Sequence, residues 1–231
     1  MTSKADPAHR FPAPVPPRLP LPEPELVDAT CGVRLRPWSD VRGDITGLVA
    51  AWRDPSVTAA NPVPADASPE AARRWIRGEA DRRARGLALD LVISPLDDLA
   101  AHPRTGVPIA RIPLISNAGT GVDSDRGPAD DASGRSLVWG EVGLRGFDPV
   151  ARRAEVGWWL APEARGHGIA AAAVDLLVGW ALAPPLDLRQ VWARTDPADV
   201  ASGRVAERAR FRLLGTADGS AVWARARGRK P

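Results

Sequence analysis

Two glycines separated by one residue lie in a short loop between an apolar strand pattern and an apolar helix pattern. Gly166 and Gly168 follow Arg165, and the helix pattern starts directly after them. Glycine lets the backbone approach an anion closely, and the amide groups at a helix N-terminus carry partial positive charge. The loop therefore predicts a diphosphate site with Arg165 as an added cation. A glycine pair also suits a plain strand-to-helix turn, and the pair by itself favours that simpler interpretation.

Other phosphate-binding and metal-binding patterns are absent from the sequence. It contains neither a GxGxxG dinucleotide fingerprint nor a GxxxxGK[ST] phosphate loop. Cys31 is the only cysteine, which excludes an intrachain disulfide and a thiolate zinc cluster. The three histidines, His9, His102 and His167, do not have metal-ligand spacing. We expect no metal cofactor.

The elements that position this loop follow from hydrophobic periodicity. Residues 137–144 and 153–160 alternate as two strands, a helix is predicted over 168–183, and a strand, a helix and a last strand are predicted over 188–194, 197–210 and 221–225. Upstream, strands are predicted over 33–36 and 87–93, and Ser39 and Ser68 are expected to cap two helices. The mixture of strands and helices, with hairpin links, predicts one α/β (α+β) domain with a mixed central sheet.

Composition sets the limits of this domain. Residues 1–28 are rich in proline and predict a disordered tail, the domain is expected over 29–227 with an irregular insertion at 95–136, and 228–231 form a basic tail. The 31 basic and 28 acidic residues leave a net charge of +3, too small to indicate nucleic-acid binding. We found no signal peptide pattern and no apolar stretch long enough to span a membrane, so we expect a cytoplasmic protein.

Two stretches resemble the motifs of the GCN5-related N-acetyltransferases (GNAT). Residues 154–170, AEVGWWLAPEARGHGIA, are similar to the family's central motif with its [Gln/Arg]-x-x-Gly-x-[Gly/Ala] loop, and residues 199–211, DVASGRVAERARF, are similar to the following motif, Asn-x-x-Ser…Ala-Glu-x-x-Gly-Phe. The likeness is strongest to the ribosomal-protein N-acetyltransferase branch. Two positions depart from the pattern, because Asp199 replaces the asparagine and Arg210 replaces the glycine.

The resemblance implies a sheet with helices on both faces that opens as a V between the family's fourth and fifth strands. Acetyl-coenzyme A would lie in this opening, with its pantetheine on the backbone of 158–160 and its diphosphate on 165–170. The implied coenzyme contacts are Trp158, Trp159, Leu160, Arg165, Gly166, His167, Gly168, Ile169, Ala170, Asp199 and Ser202. The partners are then acetyl-CoA and an amine acceptor, and pairing of two copies of the chain stays open.

Direct attack of an amine on the thioester needs a neutral amine and a proton for the leaving thiolate. The sequence has no tyrosine, which excludes the tyrosine acid of many relatives. Ser202 matches the position at which this branch is thought to place a serine near the thiol, although such a serine is also a common helix cap. Glu155 and Glu141 lie on strands beside the implied cleft, and we take Glu155 as the base candidate. An exposed strand carboxylate is the alternative interpretation.

The acceptor follows only in part from these residues. At pH 7 a lysine amine is neutral about 0.04% of the time, whereas an α-amine is neutral roughly 15% of the time. Weak evidence for a dedicated base therefore favours the α-amine of a peptide or protein N-terminus over a lysine amine. A small-molecule primary amine stays open as the acceptor. A non-catalytic acyl-CoA-binding regulatory module is the alternative, motivated by Asp199 and the uncertain base.

Overall fold

The computed structural model describes residues 18–59, 61, 63–96 and 138–228. Within these ranges the strands are β1 (Leu26–Asp28), β2 (Val33–Pro37), β3 (Ala88–Pro95), β4 (Gly140–Asp148), β5 (Arg153–Leu160), β6 (Gln190–Thr195), β7 (Arg212–Ala217) and β8 (Ser220–Ala226). The helices are α1 (Arg42–Arg53), α2 (Pro55–Thr58), α3 (Pro69–Arg77), α4 (Glu79–Ala84), α5 (Ile169–Ala181) and α6 (Val200–Arg208). This confirms the predicted α/β class.

The eight strands form one sheet in the order β1-β2-β3-β4-β5-β6-β8-β7. All neighbouring strands are antiparallel except β5 and β6, which are parallel and pair only over Arg153–Glu155 and Gln190–Trp192. Beyond these three pairs the two strands separate, and this is the predicted V-shaped opening. It lies between the fifth and sixth strands here because β1 adds a strand at the edge.

A hydrophobic core lies on each face of the sheet. Helix α5 buries its apolar side on one face, with Val174 and Leu177 packed near Leu91, Leu144 and other strand residues. On the other face, helices α1 and α3 pack Leu48, Trp52 and Ile76 near Val92 and Trp159. Helices therefore cover both faces, as the resemblance implies.

Of the two helix N-caps predicted near the start of the domain, one is confirmed and one is wrong. Ser68 is the N-cap of α3, and its side chain accepts a hydrogen bond from the amide of Ala71, as predicted. The predicted cap at Ser39 is wrong, because α1 begins at Arg42 and Val41 is its N-cap. The amide of Ser39 instead donates to the fully buried carboxylate of Asp44. Asp44 also binds the Arg36 guanidinium, which fixes α1 to β2.

The N-terminal segment differs from the predicted tail. Residues from 18 onward belong to the domain, since Leu19 is fully buried and its amide donates to the Arg83 carbonyl. Strand β1 then pairs with β2. The prediction over 1–17 and nearly all of the insertion predicted at 95–136 lie outside the described residues.

Candidate functional site

A cleft of about 510 Å³ opens where β5 and β6 separate. Strand β5, the loop after it and the start of α5 form one wall, and α6 forms the opposite wall. Helix α2 and residue 61 contribute from the third side. The cleft thus lies between the two stretches that carry the sequence motifs, residues 154–170 and 199–211.

The glycine loop has the backbone shape that an anion site needs. Gly166 and Gly168 both have φ of +81°, a conformation that L side chains rarely adopt. Gly168 is the N-cap of α5, so the first amide groups of that helix have no partner within the helix. Gly166, Gly168, Ile169 and Ala170 all line the cleft. His167 belongs to the same loop but is not part of the described cleft lining.

Arg165 lines the cleft, but its guanidinium binds other protein groups. Its Nε and Nη2 donate to the Leu160 carbonyl at 3.0 and 2.8 Å, and Nη2 also donates to the Ser56 hydroxyl at 2.9 Å. The Asp54 carboxylate lies 3.8 Å away. Arg165 therefore joins the end of β5 to the start of α2, a role that sequence reasoning, which predicted a cation beside the diphosphate, did not include.

Asp199 and Ser202 lie together on the α6 wall. Asp199 is the N-cap of α6, and its carboxylate accepts hydrogen bonds from the Ser202 amide at 3.0 Å and the Ser202 hydroxyl at 2.7 Å. Burial alone would raise the pKa of Asp199, but these bonds, together with the Ala201 amide and the charge of Arg165, lower it. The aspartate that replaces the family asparagine thus acts as a helix cap and holds Ser202 at the cleft.

The two tryptophans of β5 point to opposite faces of the sheet, as strand alternation requires. Trp159 is buried in the core against α1 and α3, and Trp158 is half-buried against the core on the α5 side. Both line the cleft, and so does Leu160. The backbone of residues 158–160 is not paired with β6, which leaves this edge open for a ligand.

The two candidate carboxylates have different surroundings. Glu155 lies at the closed end of the opening, pairs with Trp192 in the sheet and forms an ion pair with Arg145 at 3.2 Å. Glu141 lies opposite Trp159 on β4, where its carboxylate accepts a hydrogen bond from the Trp38 indole at 3.0 Å and another from the Trp159 indole. Burial, and then the nearby charge of Asp90, raise the pKa of Glu141 to about 8. Glu141 therefore stands directly behind a side chain of the cleft wall.

Several residues of the cleft were not predicted from the sequence. They are Ser56, Val57, Asn61, Ala171, Ala201, Arg204, Val205 and Arg208. The spacing of Arg204 and Arg208 was visible in the sequence, since residues four apart share a helix face. Placing that face in the cleft required the tertiary structure.

The described residues provide neither a metal-binding cluster nor a membrane-spanning helix. In ranges 18–59, 61, 63–96 and 138–228, no group of three or more histidine, cysteine, aspartate or glutamate side chains is arranged to hold a metal ion. None of the helices in the same ranges is long and apolar enough to cross a membrane.

Comparison with known proteins gives one family and many similar folds. The model of the acetyltransferase (GNAT) domain family matches residues 33–212. No curated protein matches the sequence. Among solved structures, the ribosomal-protein-S5-alanine acetyltransferase from Vibrio fischeri is 14% identical with a TM-score of 0.61, and the match covers 90% of this chain and 99% of that chain.

Two other solved structures contain the coenzyme. The ribosomal L7/L12 alpha-N-protein acetyltransferase RimL in complex with coenzyme A is 17% identical with a TM-score of 0.60, over 87% of this chain and 98% of that one. The microcin C7 self-immunity acetyltransferase MccE, in complex with acetyl-CoA and AMP, is 14% identical with a TM-score of 0.59, over 84% and 92%. These likenesses show the fold, and the family model covers most of the chain. The protein therefore belongs to the GNAT family of N-acetyltransferases, which use acetyl-CoA as co-substrate.

Proposed function

We propose that this protein transfers the acetyl group of acetyl-CoA directly to the α-amine of a peptide or protein N-terminus, or to a small-molecule primary amine. The observation that carries the proposal is the cleft between β5 and β6, which is lined by the glycine loop on one wall and by Ser202 on the opposite wall. A single extended ligand with an anionic middle and a reactive thioester end fits this order of groups.

In this proposal the coenzyme lies along β5. The pantetheine amides pair with the open backbone edge at 158–160, and the diphosphate lies on the amide groups of the loop and the α5 N-terminus. Arg165 contributes by holding β5 and α2 together rather than by donating to the diphosphate. Trp158 and Trp159 line the space between.

The reaction needs one acid and one proton acceptor. The amine nitrogen attacks the thioester carbonyl carbon and the carbon–sulfur bond breaks. The thiolate takes a proton from the Ser202 hydroxyl, which for this step turns away from the Asp199 carboxylate. The attacking nitrogen loses one proton to a carboxylate, which releases it to solvent, and Ser202 regains one from solvent, so the products are an N-acetyl amide and free coenzyme A. We propose Ser202 as the acid and retain Glu155 as the base expected from the sequence.

Glu141 is the second candidate for the proton acceptor. A general base is most effective when its pKa is close to the working pH, and Glu141 has a pKa raised to about 8 by burial and by Asp90. Glu141 contacts the Trp159 indole from behind the cleft wall, whereas Glu155 is held by Arg145. The variants Glu155→Gln and Glu141→Gln decide between them, because only loss of the true base lowers kcat across the pH range below the pKa of the amine.

An α-amine acceptor is supported by two observations. An α-amine is neutral far more often than a lysine amine at pH 7 and asks less of a base. Two of the similar structures are named as enzymes for protein N-termini or a ribosomal-protein alanine. We therefore propose the ribosomal-protein N-acetyltransferase branch for this chain.

The test is thiol release from acetyl-CoA over a panel of short peptides. Each peptide is used with a free N-terminus and an internal lysine, and again with the N-terminus blocked. We expect turnover only with the free N-terminus, and loss of most turnover in Ser202→Ala with unchanged coenzyme affinity. Turnover of the blocked peptides would contradict the α-amine proposal. Tight binding of acetyl-CoA without thiol release from peptides or a panel of small amines would favour the regulatory module.

A further inference from the structure

Two arginines of the cleft have no protein partner in the described part of the chain. Arg204 and Arg208 lie four residues apart on α6, are exposed, and line the cleft with Gly166 and Gly168. No hydrogen bond or ion pair joins either guanidinium to the described residues. Arg210 and Arg225, in contrast, both bind the Asp175 carboxylate. The cleft wall thus presents two unneutralised positive charges.

The other polar groups of the cleft either bind protein partners or suit the diphosphate of the coenzyme. The loop amides and the α5 N-terminus suit the diphosphate, and the Arg165 guanidinium is taken by the Leu160 carbonyl, Ser56 and Asp54. The Asp199 carboxylate is taken by the Ser202 amide and hydroxyl. The cations left over on the α6 wall are therefore Arg204 and Arg208.

Acetyl-CoA carries one more anionic group than the loop accounts for. Besides the diphosphate it has a dianionic phosphate on the 3′ position of its ribose, next to the diphosphate. An arginine pair is well suited to a phosphate, because guanidinium groups donate several charge-assisted hydrogen bonds to its oxygens.

We propose that Arg204 and Arg208 bind the ribose 3′-phosphate of the coenzyme and make the enzyme select acetyl-CoA over its 3′-dephospho form. The inference rests on the coenzyme placement proposed above and adds a specificity that the placement does not require. Their role in this proposal is to bind the coenzyme, so the readout of the test is coenzyme affinity.

The experiment measures the affinity of coenzyme A and 3′-dephospho-coenzyme A by calorimetry for the wild type and for Arg204→Gln/Arg208→Gln. The matched control is Arg212→Gln, which removes an exposed arginine outside this cleft. We expect the wild type and the control to bind coenzyme A at least tenfold more tightly than the dephospho form. The double variant should bind the two ligands equally, at the wild-type affinity for the dephospho form.

Three outcomes would overturn the proposal. If the double variant still prefers coenzyme A over the dephospho form as the wild type does, another group binds the 3′-phosphate. If it loses affinity equally for both ligands, the arginines bind the diphosphate instead. If the wild type binds neither ligand, the coenzyme placement itself fails. Thermal unfolding of each variant checks that the exposed substitutions leave the fold intact.

Discussion

Glu141 is the side chain with the most unusual charge state among the candidate catalytic residues. It accepts hydrogen bonds from two indoles, and burial together with the charge of Asp90 raises its pKa from 4.5 to about 8. Since the unfolded state releases this proton near pH 4.5 and the folded state keeps it until about pH 8, folding stability falls as the pH rises through that window.

Glu141→Gln removes this titration and keeps a side chain of the same size. From pH 5 to pH 8 we expect the wild type to lose about 3 kcal/mol of unfolding free energy relative to the variant. Urea unfolding at a series of pH values measures the difference. A constant difference between the two proteins over this range would show that Glu141 titrates normally.

Substitutions at Gly168 test whether the glycine loop binds the diphosphate of acetyl-CoA. Its φ of +81° disfavours any side chain, so Gly168→Ala and Gly168→Glu share the same backbone strain. Only the glutamate adds bulk and negative charge where the diphosphate is placed. We expect acetyl-CoA affinity to fall about tenfold or less in the alanine variant and beyond about 100-fold in the glutamate variant, as measured by calorimetry. Equal affinities in the two variants would refute the loop assignment.

At the end of helix α6, Arg210 replaces the glycine of the family motif, and the fold accommodates it. Arg210 occupies the family's glycine position and has a φ of +67°, the left-handed conformation that was expected there. Its guanidinium binds Asp175, which helps to hold the helix end against α5. The arginine thus keeps the turn that glycine would form more easily.

Arg210→Gly and Arg210→Ala both remove the contact with Asp175. The difference between their unfolding free energies therefore measures the backbone strain at residue 210. We expect the glycine variant to be about 1 kcal/mol more stable than the alanine variant in chemical unfolding. The same pair at Arg204, inside α6, should show the opposite sign, because glycine weakens a helix interior. Matching signs at the two positions would contradict a strained turn at 210.

The N-terminal segment is the element whose prediction changed most. A run of prolines suggested a tail, yet Leu19 is fully buried and β1 extends the sheet. Leu19→Ala should therefore lower the unfolding free energy by about 2–4 kcal/mol. Val27→Ala, at a side chain that is 49% exposed, should change it by less than about 0.5 kcal/mol. A negligible effect at Leu19 would restore the original interpretation.

The whole molecule is organised around one break in its sheet. The parallel pair β5–β6 is held over only three residues on each strand, and the opening beyond it is kept by the cores on the two faces. A ligand that pairs with the free edge of β5 and contacts α6 would bridge both halves of the sheet. Binding should therefore stabilise the entire domain against unfolding.

We expect acetyl-CoA at 100 times its Kd to add about 2.7 kcal/mol to the folding free energy. For a domain of this size that corresponds to a rise in Tm of about 5–10 °C. A thermal scan with increasing acetyl-CoA measures it, and Gly168→Glu should show no rise. If that variant were protected as well, the coenzyme would bind outside the cleft.

The sequence by itself determined the local features and the family. The Ser68 cap, helix α5 and the strands on either side of the glycine loop depend on neighbouring residues, so periodicity and capping rules were sufficient to find them. The two motifs of the proposed coenzyme site could be recognised because each occupies one short stretch of chain. Strand β7 was missed, since all of its residues are exposed and no alternation marks it.

Only the tertiary structure decided features that join distant segments. The burial of Leu19, the commitment of Arg165 to Leu160 and Ser56, and the raised pKa of Glu141 each depend on residues far away in the chain. Burial and electrostatic environment are properties of packing, and no local pattern encodes which side chains will meet. The glycine loop occupies one short stretch of chain and was therefore visible in the sequence, whereas the arrangement of charges around the cleft was not.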